Sequence, residues 1–270
     1  MNIHLQWVCG GDFIRAKYND KVTYPLVING QQLPYRYSLE SCADLTVRAT
    51  ASKRGYSHGS NITGDGYIDG KKIKLGFLIS GTNQADYDWR LNELLRLFYQ
   101  QDYTFSVGNG FYNVSCMASS NAKWIKGYQG QRADVDITLL LADPFRYADS
   151  ESSKAGYILP DEGTTVTIIN AGSVDTPLSV ALVPRTGMTM ADVTFRHIES
   201  GKTMRVADTL LTNPAVLTID TKAGTVRRDA NNAINAFSGH FLTAKPGTNT
   251  YEIKGSEGKV VIKWRNRWLA

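Results

Sequence analysis

Four histidines, His4, His58, His197 and His240, are the residues of this sequence best suited to acid–base or metal chemistry. A metal site gathers several His, Cys or carboxylate ligands, and the spacings that do so on one element, H-x-x-x-H and H-E-x-x-H, do not occur. None of the four histidines has a second ligand at metal-binding spacing. The cysteines, Cys9, Cys42 and Cys116, are widely separated and include no C-x-x-C pair. An odd, scattered set argues against a disulfide framework or a zinc site and suits a reducing cytoplasm.

Paired acids are the next candidates, because two carboxyl groups a few ångströms apart can hydrolyse a glycosidic bond. Asp134 and Asp136 share a strand face and read as solvent-facing acids, while Asp220 and Asp229 flank a turn region and read as turn caps. Trp264 and Trp268, with Tyr251 nearby in sequence, could stack on a sugar ring. The simpler expectation puts Trp264 in a core and leaves Trp268 as a terminal contact. Gly64-Asp65-Gly66 and Gly108-Asn109-Gly110 are G-x-G triplets, but neither opens a helix, so tight turns explain them better than a phosphate cradle. The P-loop pattern G-x-x-x-x-G-K-[ST] does not appear. The expectation is a protein with no catalytic residue, no metal and no cofactor.

The elements that would position these residues are mostly strands. In Ile73, Leu75, Phe77 and Ile79 every second residue is apolar, as in a half-buried strand. Asp134 to Leu139 repeats the period with acids outward, and Val260, Ile262 and Trp264 repeat it near the C-terminus with Lys263 and Arg265 on the other face. Asp69-Gly70 and Asn109-Gly110 separate strand-like segments and predict hairpins. Residues 44–54 predict a strand whose partner lies beyond the Gly-rich stretch 55–66, making a long hairpin arm. One helix is predicted between Asn83 and Gln101, where Tyr87, Leu91, Leu94, Leu95 and Phe98 fall at helical spacing. Thr82 or Asn83 would cap it, with Asp86 and Asp88 near its positive end.

With 270 residues the chain suits two domains. Apolar content of 42% and charged content of 20% describe a globular protein. The net charge of +5 is spread over both halves rather than gathered into a stripe, which argues against a nucleic-acid module. Residues 1–30 lack a cationic start followed by an apolar core, so no secretory leader is expected. No apolar run approaches the ~20 residues of a membrane helix. A polar stretch near 148–160 divides a first domain, 1–150, from a second, 151–270, where nine short strand-like segments without helical pattern predict a β-sandwich.

The order and spacing of several segments resemble the distal tail protein family, called Dit, of siphophages. The first group is Arg54-Gly55-Tyr56-Ser57-His58-Gly59-Ser60, then Gly66-Tyr67-Ile68-Asp69-Gly70-Lys71-Lys72-Ile73, the helix, and Asp143-Pro144-Phe145-Arg146-Tyr147. The second group begins at Asn170-Ala171-Gly172-Ser173-Val174-Asp175-Thr176-Pro177 and continues through Leu217 to Thr221 and Phe241 to Asn249. It closes on Trp264-Arg265-Asn266-Arg267-Trp268-Leu269. Departures are small: members commonly carry a second Pro near Pro177 and a Leu where Ala244 stands.

The resemblance implies a mainly β protein. Its N-terminal domain, a β-sandwich or barrel, would hold one helix at about 84–100 and a hairpin arm at about 40–79. Its C-terminal domain would be a galectin-like, jelly-roll-type sandwich. It also implies a structural role in the virion tail tip, in a protein synthesised in the host cytoplasm. Copies would form a ring, usually six-fold, joining the tail tube protein to the baseplate hub or tail-fibre protein, with Arg54, Tyr56, His58 and Asn61 at the subunit-interface arm. Receptor-binding proteins or host glycans would meet the C-terminal domain, with Trp268 as a carbohydrate contact, and genome DNA would cross the lumen without specific binding. The alternative function is a carbohydrate-binding adsorption module in the second domain.

Overall fold

The computed structural model describes residues 14–17, 24–41, 46–55, 58–106, 108–159 and 162–269. Its contacts divide into two compact units, 1–146 and 147–269. Each has its own apolar core, and the two cores share no residue.

The first unit is built on β1 (Ile14–Ala16), β2 (Tyr24–Ile28), β3 (Gln31–Ser41), β4 (Val47–Lys53), β5 (Ser60–Ile68) and β6 (Lys71–Ser80). Helix α1 (Gln84–Phe98) follows, then β7 (Tyr103–Ser106), β8 (Phe111–Val114), β9 (Cys116–Trp124) and β10 (Arg132–Leu141). Antiparallel pairing runs β8-β7-β2-β3-β6-β10-β9, with β1 also on β6. Only Ser115 separates β8 from β9, and its N–H donates to the Leu140 carbonyl at 2.9 Å. One run of chain therefore pairs with β7 through its first half and with β10 through its second, which curls the sheet toward a barrel and leaves β9 at an edge.

The alternating residues do what their period dictates. Ile73, Leu75, Phe77 and Ile79 of β6 are fully buried, opposite Leu139, Ile137, Val135 and Ala133 of β10. Helix α1 lays Tyr87, Leu94 and Phe98 on this core, and the Phe98 ring sits 5.8 Å from that of Phe77. Asn83 caps the helix by accepting from the Asp86 N–H at 2.9 Å. Asp86 in turn accepts from the Thr82 N–H, and that bond holds its carboxyl below the ordinary value.

Two expectations about this unit fail. Asn109-Gly110 does close a hairpin, with Ser106 opposite Phe111, but Asp69-Gly70 does not. β5 pairs with β4, whereas β6 belongs to the barrel. The Asp69 N–H still extends the β4–β5 ladder to the Thr46 carbonyl at 2.7 Å. At Gly70 the chain then turns inward so close to Leu141 that a Cβ would stand 3.0 Å from its carbonyl oxygen. The arm expected over 40–79 is therefore a ribbon over 47–68, because the buried alternation of β6 draws 71–80 into the barrel.

In chain order β11 (Arg146–Tyr147) follows β10. The second unit holds β12 (Ser152–Ile158), β13 (Thr164–Asn170), β14 (Thr176–Pro184), β15 (Asp192–His197), β16 (Thr203–Ala207), β17 (Leu217–Asp220) and β18 (Thr225–Arg228). It ends with β19 (Asn231–Asn232), β20 (Phe237–Gly239), β21 (Thr243–Ala244), β22 (Gly247–Gly255), β23 (Gly258–Trp264) and β24 (Arg267–Trp268). One sheet is β12-β23-β14-β17-β18-β19 with β21 on β14, and the other is β13-β22-β15-β16-β20.

The inner faces of the two sheets meet in one core, with Val180, Leu182 and Ile262 from the first and Phe195, Tyr251 and Ile253 from the second. Trp264 ties them: its ring packs in this core while Nε1 donates to the Ile169 carbonyl at 3.1 Å. The polar stretch read as a divider at 148–160 contains a strand. β12 pairs with β23 along its whole length, and its polarity is that of an edge.

Candidate functional site

The ribbon β4–β5 is the feature that no core explains. Every residue of β4 is exposed, and so is every residue of β5 except Ile68. A two-stranded ribbon alone is marginally stable in water. Its two faces differ in character. Cross-strand partners share a face, so Ala49 with Gly64 and Ala51 with Ile62 make one side small and apolar as far as Lys53 with Ser60 at its end, while Thr50 with Thr63 and Ser52 with Asn61 make the other polar. Ile62 is 77% exposed and Tyr67 is 67% exposed.

Near the base, three residues of β5, Asp65 to Tyr67, stand opposite the single residue Arg48. Arg48 reaches Asp65 at 3.5 Å and lies over the Tyr67 ring. Gly64 makes this bulge possible with φ 152°, and a Cβ there would collide with the Arg48 carbonyl.

Of the residues expected at the interface arm, Arg54 and Asn61 come together across the ribbon, with Arg54 Nε donating to Asn61 Oδ1 at 2.9 Å. His58 is exposed beside the tip, and Tyr56 lies outside the described residues. The apolar positions Ile62 and Tyr67 were not singled out in the sequence. Their signal was an alternating segment with no core to face. Residues Gly55 to Gly59 also spell G-x-S-x-G. A nucleophile elbow requires a strand-to-helix turn, and this segment joins two antiparallel strands.

Three of the four candidate acids, Asp136, Asp220 and Asp229, are engaged in structure. Asp136 accepts from Lys17 Nζ at 2.7 Å and lies 3.5 Å from Lys74 Nζ. Burial alone would raise its carboxyl, but the two lysines outweigh that and hold it below the ordinary value. Asp220 accepts from the N–H groups of Lys222 and Ala223, and Asp229 from that of Val216. The aromatic set does not form a platform. Tyr251 is fully buried and Trp264 is 8% exposed, whereas Trp268 is half-buried on its short strand. A recess of about 140 Å³ in the first unit, bordered by Asp102, Asn113 and Asp143, is small beside the roughly 300–1,000 Å³ of ligand pockets.

His197 departs most from expectation, since it is buried and has a carboxylate beside it. Its Nδ1 lies 2.7 Å from Ser200 Oγ, and its Nε2 lies 3.0 Å from Asn249 Oδ1 and 3.1 Å from Glu199 Oε2. Asn249, fully buried, accepts from the Lys245 N–H at 2.7 Å and donates to the carbonyls of Lys245 and Gly247. Glu199 accepts from the Thr250 N–H at 2.9 Å. Burial pushes the Glu199 carboxyl up, yet this bond, its own backbone N–H and the nearby His197 bring it below the ordinary value. Every polar atom named here has a partner, and the knot pins the β15–β16 turn to the approach to β22. Among the described residues no three His, Cys, Asp or Glu side chains gather as a metal site, and no helix is long and apolar enough to cross a membrane.

Residues 171–268 match the family described as siphovirus-type tail component, C-terminal domain. Among solved structures the chain is similar to SPP1 Dit (gp 19.1), described as a paradigm of the hub adsorption apparatus in phages that infect Gram-positive bacteria. The TM-score is 0.72 at 14% identity, covering 92% of this chain and 99% of that one. It is also similar, at a TM-score of 0.45 and 9% identity, to a chain of the phage P2 baseplate in its activated conformation with calcium, over 85% of this chain and 89% of that one. No curated protein matches the sequence. The siphovirus-type tail component domain thus falls within the second of the two β units. The two units together share the fold of SPP1 Dit.

Proposed function

We propose that the protein is a structural hub component of a phage tail tip and performs no catalysis. Copies join through the first unit into a closed ring, six-fold as in the family it resembles, between the tail tube protein and the baseplate hub or fibre protein. Genome DNA crosses the lumen without sequence-specific contacts. The second unit serves as the anchoring surface for receptor-binding proteins.

The observation that carries this reading is the exposed ribbon. A monomer gains nothing from holding Ala49, Ala51 and Ile62 in water on a two-stranded sheet, whereas a neighbouring copy would bury them. Closed cyclic symmetry lets such a head-to-tail contact stop without growing into a filament. The test is native mass spectrometry of the intact chain beside a variant in which residues 54–59 are replaced by Asn-Gly, a two-residue turn that keeps Lys53 opposite Ser60. The parent should form rings, and the shortened ribbon should shift the population toward monomer. Rings of unchanged abundance would rule the ribbon out as the clasp.

A further inference from the structure

We propose that the ring is closed by main-chain pairing, in which the outer edge of β5 of one copy adds to the outer edge of β9 of the next. The inference rests on the ring proposed above and names where the ribbon seats.

β9 pairs with β10 on one side only, and among the described residues no strand occupies its other side. Which groups face that side follows from the ladder. Ile125 N–H donates to the Arg132 carbonyl at 3.0 Å, in register with the pairs Lys123–Asp134, Asn121–Asp136 and Ser119–Thr138. Antiparallel alternation then turns the N–H and C=O groups of Ser119, Asn121 and Lys123 toward β10, and those of Ser120, Ala122 and Trp124 outward. The same reasoning applies to the ribbon. Arg54 N–H donates to the Gly59 carbonyl, so Asn61 and Thr63 face β4, while Ser60, Ile62 and Gly64 present their backbone groups outward. Two edges of like length each offer the donors and acceptors that the other lacks.

Charge selects β5 over β4. From Cys116 to Ala122 β9 carries no charged residue, and neither does β5 from Ser60 to Gly64. The other ribbon edge would bring Arg48 and Lys53 toward Lys123, like against like. Shape agrees. Ser120 and Ala122 share the face of β9 that neighbours the buried Ile137 and Val135, yet both are exposed. Their small side chains leave room beside them. A β5 strand seated on this edge with Ile62 on the same face would continue the apolar side of the barrel through Ala122, Ile62 and Ala51. The occupant is therefore the ribbon of a second copy, which has the exposed apolar face to match. Unguarded edges of this kind are a liability in a monomer and a specific joint in an assembly.

The test uses Ser120→Pro/Ala122→Pro in the intact chain. Both residues point their N–H away from β10, so proline leaves the β9–β10 ladder intact, as edge strands tolerate, and removes the two donors meant for the neighbour. Circular dichroism and thermal unfolding should match the parent, while native mass spectrometry should show loss of ring at concentrations where the parent is fully assembled. Rings persisting in a folded variant would overturn the assignment of β9 while leaving the ring itself standing. A parent that never assembles would instead defeat the ring. In the assembled parent, amides of 60–64 and 119–124 should exchange at least tenfold more slowly than in the dissociated chain. Unchanged exchange there would overturn the pairing even if the proline variant failed to fold.

Discussion

Replacing Asn249 by alanine removes a fully buried carboxamide that holds four contacts: the Lys245 N–H, the Lys245 and Gly247 carbonyls, and His197 Nε2. Each intramolecular hydrogen bond contributes about 1 kcal/mol net, and a buried group left without a partner costs more. Lys245 and Gly247 are exposed residues, so water can reach part of what the carboxamide releases. The loss should therefore lie near 3 kcal/mol rather than at the sum of full desolvation penalties. For a unit of this size one kcal/mol moves the midpoint by roughly 4 °C, so the second unit should melt about 12 °C lower. Differential scanning calorimetry of the intact chain reads this, and the first unit's transition serves as internal reference. Asn232→Ala is the control, because exposed Asn232 caps only the Ile234 N–H, and its midpoint should move by no more than roughly 4 °C. A shift for Asn249→Ala no larger than the control's would refute the view that the knot holds the approach to β22.

Asn83→Ala should destabilise the first unit by about 1 kcal/mol, seen as a lower urea midpoint with unchanged slope, since it removes the side-chain cap on α1. Asp136→Asn should cost about 1–2 kcal/mol at neutral pH through the lost Lys17 contact. Because the folded-state carboxyl is depressed, that stability is present above the ordinary carboxylate value and is lost as pH falls through the lower folded one. Parent and variant should therefore converge in urea melts once the pH falls below that depressed folded value. Gly64→Val places a side chain against the Arg48 carbonyl at a φ that L residues avoid. It should abolish rings in native mass spectrometry while leaving the calorimetric midpoints within 2 °C or so, as surface changes do. On a glycan array the intact chain should show no saturable binding that Trp268→Ala removes, since Tyr251 and Trp264 are not available to complete a platform; such binding would favour the adsorption module.

The core strands of both units were legible because burial on one face writes a period of two into β6, β10 and β23, and burial of a stripe writes 3.6 into α1. Pairing was less legible. Asp69-Gly70 announces a change of direction but not which strand receives the chain, and the burial of β6 decided that. β9 and β12 were missed for one reason: Ser119 to Ala122 and Ser152 to Lys154 lie on edges, where no core imposes alternation. The His197 knot was illegible for another. Its principal partner, Asn249, is 52 residues away, and an Asn in a Gly/Pro-rich approach reads as a turn residue. The interface arm was half visible, in that Gly-rich composition marked its tip while the apolar side of the ribbon showed only once pairing put Ile62 beside Ala51.

Phe111 to Trp124, hinged at Ser115, belongs to two ladders at once. Adding or deleting one residue there would flip the inward set of one half relative to the other. Substitution can proceed at the exposed positions of this segment, such as 118–122, but its length is locked. In a fold held at 14% identity to its structural counterpart, lineages would drift in letters here while keeping count, and natural insertions should fall instead at the ribbon tip, where no second ladder keeps score.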